Sequence, residues 1–236
     1  MKPHPPLSGR EIKRIVANLL VDDAFPSSLQ AISQLPARRV VNPLFAFFCD
    51  ANGLRRWRAV MAMGRVVSSL AEKDMESARV VMRRFMWNLN EESGGIGWGC
   101  PEAMGETMAR SAPLAREYRC ILISYLNPEG NFIDHPALQE GVLWGIGRLA
   151  HANPPAALEA APFVAGFLSA EIPALRGLAA WAAGPLACSA FIPELEKLAG
   201  DEACFELYEP EQLIRPSVAV IARQALELTQ SLLSTR

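Results

Sequence analysis

The residues best suited to ligand binding form a stripe along one predicted helix, within MESARVVMRRFMWNLN. Four of them are spaced by about one helical turn each: Arg79, Arg83, Trp87 and Asn90. Residues at this spacing share one face of a helix. A guanidinium group can bind a carboxylate or phosphate through two parallel hydrogen bonds. The stripe predicts a site for an acidic or phosphorylated partner, although a solvated helix face would carry the same residues.

A second stretch, ESGGIGWGCPEAMGE at residues 92–106, holds too much glycine at its start for a regular helix. Each glycine costs about 1 kcal/mol relative to alanine in a helix interior. We predict that residues 91–102 form a non-helical loop on the rim of the site, with Glu91, Trp98 and Glu102 as candidate binding residues. Close backbone packing around Trp98 is the alternative. A nucleotide phosphate loop is not expected, because no strand precedes the glycines.

Histidine and cysteine form no recognisable catalytic or metal-binding set. His4, His135 and His151 do not pair by spacing with a cysteine, a serine or a second histidine. The five cysteines are scattered without a CxxC pair, which argues against a zinc site and against a disulfide framework. Asp134 and the carboxylates near residue 91 are typical of turns and solvated loops. We therefore predict no catalytic residue, no metal and no cofactor.

The charge is unevenly distributed along the chain. Residues 1–120 carry 17 Lys+Arg against 12 Asp+Glu, a net +5, whereas residues 121–236 carry 6 against 13, a net −7. The two halves sum to the overall −2. The chain has no apolar leader and no apolar run of the roughly 18 residues that span a bilayer, so we expect a soluble, cytoplasmic protein without membrane contact.

Two helix patterns alternate along the chain. ALQEGVLWGIGRLA at 137–150 and ALRGLAAWAAGPLA at 174–187 share Ala, Leu, Trp, Gly, Leu and Ala at an offset of 37 residues. WRAVMAMGR and WGCPEAMGE extend this pattern and complete a series of marker glycines: Gly64, Gly105, Gly147 and Gly184. The second pattern, in MWNLNEES and ISYLNPEG, adds Arg116 as the counterpart of Arg79, with Arg119 close by. The marker glycines are 41, 42 and 37 residues apart, and two-helix units of this length are typical of an α-solenoid.

The small residues, methionine and glycine of the first pattern resemble the short HEAT-like repeats of phycobilisome-lyase-type proteins, most clearly over residues 50–190. The resemblance implies an all-α, right-handed α-solenoid of about five HEAT-like helical hairpins. In such solenoids the second helix of each hairpin lines the concave face. By this resemblance the arginines at 79, 83, 116 and 119 would point into a shared groove.

The function expected from this resemblance is a non-catalytic scaffold that binds a protein partner or an anionic ligand through its concave face. Two enzyme classes with HEAT-like repeats remain as alternatives: bilin lyases or isomerases, and alkylpurine DNA glycosylases. The glycosylases have a basic concave face with a tryptophan-rich segment, and this chain departs from them in its negative net charge. Nucleic acid is therefore not the expected partner.

We expect one repeat domain over residues 1–236. Residues 1–50 would form the N-terminal cap and first repeat, residues 51–190 the clearest repeats, and residues 191–236 the C-terminal cap. Near the end of the chain, the periodicity predicts helices at 155–169 and 213–233. It predicts an acidic, irregular loop at 200–212, where the sequence reads GDEACFELYEPEQ.

Overall fold

The structure is a computed structural model that describes residues 7–90, 97–209 and 212–235. These residues form the following α-helices: α1 Gly9–Leu19, α2 Phe25–Gln34, α3 Ala37–Phe47, α4 Gly53–Lys73, α5 Met75–Leu89, α6 Cys100–Arg110, α7 Ala112–Ser124, α8 Pro136–Ala152, α9 Pro154–Ala157, α10 Ala161–Phe167, α11 Pro173–Leu186, α12 Ile192–Leu198 and α13 Val218–Ser234. The predicted all-α solenoid is confirmed.

Local signals in the sequence set the helix starts. Ser8 forms a capping box with Glu11 at the start of α1. Asn52 and Asp74 accept backbone N–H bonds at the starts of α4 and α5. Proline occupies the first turn of α6, α7, α8 and α11, where its missing N–H has no intrahelical partner to lose. These capping residues and prolines therefore mark the starts of the helices.

An inner layer of helices carries the solenoid. Helices α4, α6, α8, α11 and α13 pack against one another in that order, and each marker glycine faces the next helix of the series. At Gly105 the α-carbon of Gly145 comes so near that an added Cβ would lie 2.2 Å from it. Glycine recurs in this pattern because side chains there would keep the helices apart.

The inner layer lines the concave side of the solenoid. Trp57 of α4 and Trp144 of α8 are two helices apart in the series, yet their ring centroids are only 4.7 Å apart. Side chains from next-nearest helices can meet in this way only where the layer curves towards them. Helices α5 and α7 pack on the inner layer from its convex side and form the outer layer.

A short β-hairpin lies against the inner layer. Strand β1 (Leu207–Tyr208) pairs antiparallel with β2 (Leu213–Ile214), with Leu207 opposite Ile214. Phe205 packs on Gly177 of α11, and Leu213 packs on Gly53 of α4. The segment predicted as an irregular acidic loop is therefore partly a hairpin that reaches back across three repeats.

Two predicted helix boundaries are wrong. The last helix starts at Val218 and not at 213, because residues 213–214 pair with β1 and Pro216 disfavours helix in the residue before it. The predicted helix at 155–169 is divided into α9 and α10 by a 3₁₀ turn at Leu158–Ala160. Pro162 lies in the first turn of α10 and has no N–H to continue the preceding helix.

The buried apolar residues form one continuous cluster from Ile12 in α1 to Ala225 in α13. In the part of the chain that the structure describes, no helix combines the length and the apolar character needed to cross a bilayer.

Candidate functional site

Three tryptophans of the inner layer and one tyrosine of the hairpin form an aromatic row that is buried between the inner layer and the hairpin, with each residue at most 8% exposed. The Trp57 and Tyr208 rings stack at 5.2 Å with an interplanar angle of 7°. Trp144 lies beside Trp57, and Trp181 stacks on Trp144 with their centroids 6.0 Å apart. The row therefore runs along the inner layer from α4 to α11.

The aromatic row holds the hairpin by its polar edges. Trp144 donates its indole N–H to the backbone carbonyl of Tyr208 at 3.2 Å. Trp181 donates to the Glu209 carboxylate at 3.1 Å. Trp144 thus binds peptide backbone in the groove, and its N–H group is satisfied despite burial.

One pocket, which we call the acidic pocket, lies at the end of the row nearer the helix starts. It is a cavity of about 80 Å³ between α4, α6, α8, α11 and the segment before β1. Its charged and aromatic lining residues are Arg56, Trp57, Trp98, Glu102, Glu140, Trp144 and Glu206. The Trp98 ring also meets His135 edge to face, with centroids 5.5 Å apart.

Glu102 is the most strongly desolvated ionisable group of the acidic pocket. Its Oε2 atom is buried and has no hydrogen-bond partner among the described residues. Its carboxyl group lies directly against Gly141 of α8, where an added Cβ would come within 2.8 Å of the carboxyl carbon. Burial raises the pKa of Glu102 to about 7. Burial also raises the pKa of Glu140, so both carboxyl groups lack the solvation that would favour their charged forms.

A second pocket, which we call the arginine pocket, lies on the other side of the row, in a cavity of about 300 Å³. Arg110 and Arg148 each donate an Nε–H bond to the fully buried carboxylate of Glu106, at 2.7 Å for Arg148. His151 packs on Trp181 with ring centroids 4.7 Å apart, and burial lowers the pKa of this histidine. The pocket combines two arginines with the Trp144, Trp181 and Tyr208 rings and the carboxylate of Glu209.

The predicted stripe on α5 lies elsewhere, in the outer layer. Arg79 binds the Glu117 carboxylate of α7 through two hydrogen bonds of 2.8 and 2.7 Å. Arg83 donates to Glu76 on its own helix at 2.6 Å. These contacts raise the pKa of both arginines, so they are cations already paired within the chain.

The outer layer repeats this kind of ion pair once per unit. Each pair joins an arginine of one outer element to an acidic residue of the next: Arg38 with Asp74 at 2.5 Å, Arg79 with Glu117 at 2.7 Å and Arg119 with Glu159 at 3.2 Å. Outer helices are spread further apart than inner ones, so long side chains bridge them where apolar side chains do not reach. The regular spacing of arginine in the sequence reflects this role.

The remaining predicted site residues are divided between the two faces. Trp98 and Glu102 do line the concave groove, in the acidic pocket. Trp87 is 70% exposed on α5, Asn90 is exposed at the end of that helix, and Arg116 is exposed on α7. Glu91 lies outside the described residues. The predicted rim loop is described only from residue 97, and it is non-helical up to Gly99, which has a φ of +72°. Its predicted end at residue 102 is wrong, because α6 begins at Cys100 and includes Glu102.

The predicted arginines at 79, 83 and 119 lie on the outer layer, are paired with carboxylates of the chain, and line neither of the two pockets. The concave layer consists of the helices that carry the marker glycines, because only they approach closely enough to bring Trp57 to Trp144. Sequence reasoning missed the aromatic row. A signal was present, since tryptophan recurs seven residues before Gly64 and three residues before Gly147 and Gly184, which is one face of a helix.

Comparisons with known proteins support the fold. No protein-family model and no curated protein matches the chain. A designed armadillo repeat protein in complex with the peptide (KR)4 is similar in structure, with a TM-score of 0.51, 17% identity, and coverage of 93% of this chain and 99% of that chain. Another designed armadillo repeat protein has a TM-score of 0.50 at 17% identity, covering 93% and 100%. An engineered structural-genomics target gives 0.53 at 14% identity, covering 94% and 99%.

At these identities the similarity concerns the fold alone. The chain is a helical-repeat solenoid, of the architecture shared by armadillo and HEAT-like repeats. The finer resemblance to the phycobilisome-lyase type of repeat stays a prediction.

Proposed function

We propose that this protein is a non-catalytic scaffold that binds an extended segment of a partner protein along its concave face. The observation that carries the proposal is the pair of pockets on the inner face, the acidic pocket and the arginine pocket, which lie on either side of the buried aromatic row. Pockets beside such a row offer places for individual side chains of a partner.

The hydrogen bond between the inner layer and the chain's own hairpin supports this mode of binding. Trp144 already holds an extended backbone carbonyl, that of Tyr208, on the groove surface. The same fold in a designed armadillo repeat protein is found in complex with the peptide (KR)4, which supports a groove of this shape as a peptide-binding surface. Extended recognition of this kind derives affinity from backbone contacts and specificity from side-chain pockets.

An anionic ligand is the second candidate, and the arginine pocket favours it. Arg110 and Arg148 use their Nε atoms on Glu106, and no contact among the described residues engages their terminal nitrogens. These nitrogens are free to bind a carboxylate, with the Trp144 and Trp181 rings as an apolar wall. Glu106 and Glu209 offset the two positive charges, which makes this candidate weaker than the peptide.

Hydrogen–deuterium exchange on the full chain tests the proposed function. Twelve-residue peptides would first be selected from a random display library, and the exchange would be measured with and without the best binders. We expect protection of α4, α6, α8 and α11, with no change in α5 and α7. Failure to select any binder, or protection confined to the outer helices, would contradict the proposal. The test variant Trp98→Ala, in the groove, should weaken binding. Its matched control, Trp87→Ala on the outer layer, should not.

The two enzyme alternatives predict different experimental results for this protein. A glycosylase would bind duplex DNA in a salt-sensitive manner and release an alkylated base. A lyase would form a coloured complex with bilin. Either result would replace the scaffold proposal.

A further inference from the structure

We propose that the acidic pocket binds one organic cation, the guanidinium or ammonium head of an arginine or lysine side chain presented by the partner. The inference deepens the proposed function and rests on it for the source of the cation. It concerns the chemistry of a single pocket and can be tested with free cations as well as with peptides.

The charges of the pocket are unbalanced. Glu102 of α6, Glu140 of α8 and Glu206 of the segment before β1 bring three carboxyl groups to one cavity, and Arg56 of α4 is the single basic residue among its lining. Within the described ranges no ion pair joins Arg56 to any of the three. Arg56 acts on Glu102 and Glu140 only through its field, so an additional cation would meet more acidic groups than this one arginine can balance.

The buried oxygen of Glu102 gives a second, independent reason. Glu102 lines the pocket, and its Oε2 atom is closed off from solvent and accepts no hydrogen bond from the described residues. A buried acceptor without a partner costs free energy, and most such atoms in folded proteins are satisfied by a water, an ion or a ligand. An N–H group of a bound cation would satisfy it.

The walls of the pocket suit a cation that is only partly hydrated. Trp57, Trp98 and Trp144 line it together with the carboxyl groups. The face of a tryptophan ring attracts guanidinium and ammonium groups, most strongly where water is excluded. A cavity of about 80 Å³ is large enough for a compact head group.

Binding of a cation should be coupled to release of a proton. Burial raises the pKa of Glu102 to about 7, so near neutral pH its carboxyl group is protonated in about half of the molecules. A bound cation favours the charged form and lowers that pKa, which releases the proton. The charged groups that face Glu102 across the packed elements are Arg56, whose field lowers its pKa, and Glu140, whose field raises it. Cation affinity should therefore increase from pH 6 to pH 8.

Calorimetric titration of the full chain tests the inference with three probes: methylguanidinium, tetramethylammonium and a (Lys-Arg)4 peptide. We expect at least one free cation to bind, with an observed enthalpy that differs between phosphate and HEPES buffers because a proton is released; Tris is avoided because its ammonium form would compete for the pocket. Glu102→Gln should weaken that binding by about tenfold or more and remove the buffer dependence. Glu140→Gln should weaken binding without removing it.

Glu117→Gln is the matched control, because Glu117 lies on the outer layer and pairs with Arg79. It should leave cation binding unchanged. The inference is overturned if no cation binds, or if the Glu102→Gln protein, folded by circular dichroism, binds cations as well as the parent chain.

The experiment separates this inference from the proposed function. Peptides that protect the inner helices but ignore Glu102→Gln would retain the scaffold function and remove the cation pocket. Free cations that bind through Glu102, together with the absence of any groove-binding peptide, would retain the pocket and remove the scaffold function.

Discussion

Gly105→Ala tests how the repeat is built, and its effect can be worked out from the structure. The new Cβ would lie 2.2 Å from the Cα of Gly145 and 2.4 Å from its carbonyl oxygen, where carbon atoms prefer about 3.5 Å or more. Both contacts are to backbone, so helices α6 and α8 would have to separate by about 1 Å. Overpacking of this kind costs about 1–3 kcal/mol, and the rigid neighbours place it at the upper end.

The better helix propensity of alanine offsets about 1 kcal/mol of that cost. We therefore expect Gly105→Ala to lower the free energy of unfolding by about 2 kcal/mol, and Tm by about 4–8 °C. Urea unfolding followed by far-UV circular dichroism measures the change. The control is Gly166→Ala in α10, where an added Cβ meets nothing within 4 Å, so only the favourable propensity term of up to about 1 kcal/mol remains. Equal stabilisation by both substitutions would refute the close-packing account of the marker glycines.

Three further predictions concern buried polar groups. Glu106→Gln should lower the free energy of unfolding by about 3 kcal/mol in urea titrations, because it removes the buried charge that binds two arginines. Glu102 has a folded-state pKa of about 7, raised from 4.5, so the native state binds more protons between those values and stability falls as pH rises through them. Unfolding at pH 5 and pH 8 should show that Glu102→Gln removes roughly 2–3 kcal/mol of this loss. Burial raises the pKa of Cys100 to about 12, so mass spectrometry after alkylation at pH 8 should find it unmodified in the folded protein, unlike the exposed thiols Cys49, Cys120 and Cys204.

The arginine stripe shows how a correct pattern led to an incorrect location. Periodicity placed Arg79, Arg83 and Trp87 on one helix face, and they do share α5 in the structure. The resemblance to HEAT-like proteins then assigned that helix to the concave side. The side chains themselves are ambiguous, because an arginine that binds a partner and an arginine that binds Glu117 have the same sequence spacing.

The acidic pocket was only half visible in the sequence. Trp98 and Glu102 were singled out because the glycine-rich stretch departs from the repeat. Glu140 and Glu206 come from elements 38 and 104 residues further along the chain by their numbering, and no local pattern connects them to Glu102. Their meeting depends on α8 packing beside α6 and on the hairpin crossing the groove.

The sequence by itself determined the helices, their alternation and the series of close contacts in the inner layer. Those features depend on neighbours in the chain: proline and capping residues at helix starts, and small residues repeated at the interval of one unit. Only the tertiary structure decided which layer is concave, and where the segment around Tyr208 lies. Curvature arises from small differences in packing between layers, and the hairpin is positioned by Trp57 and Trp144, which lie 151 and 64 residues before Tyr208 by their numbering. Contacts over such separations leave no periodic trace in a single sequence.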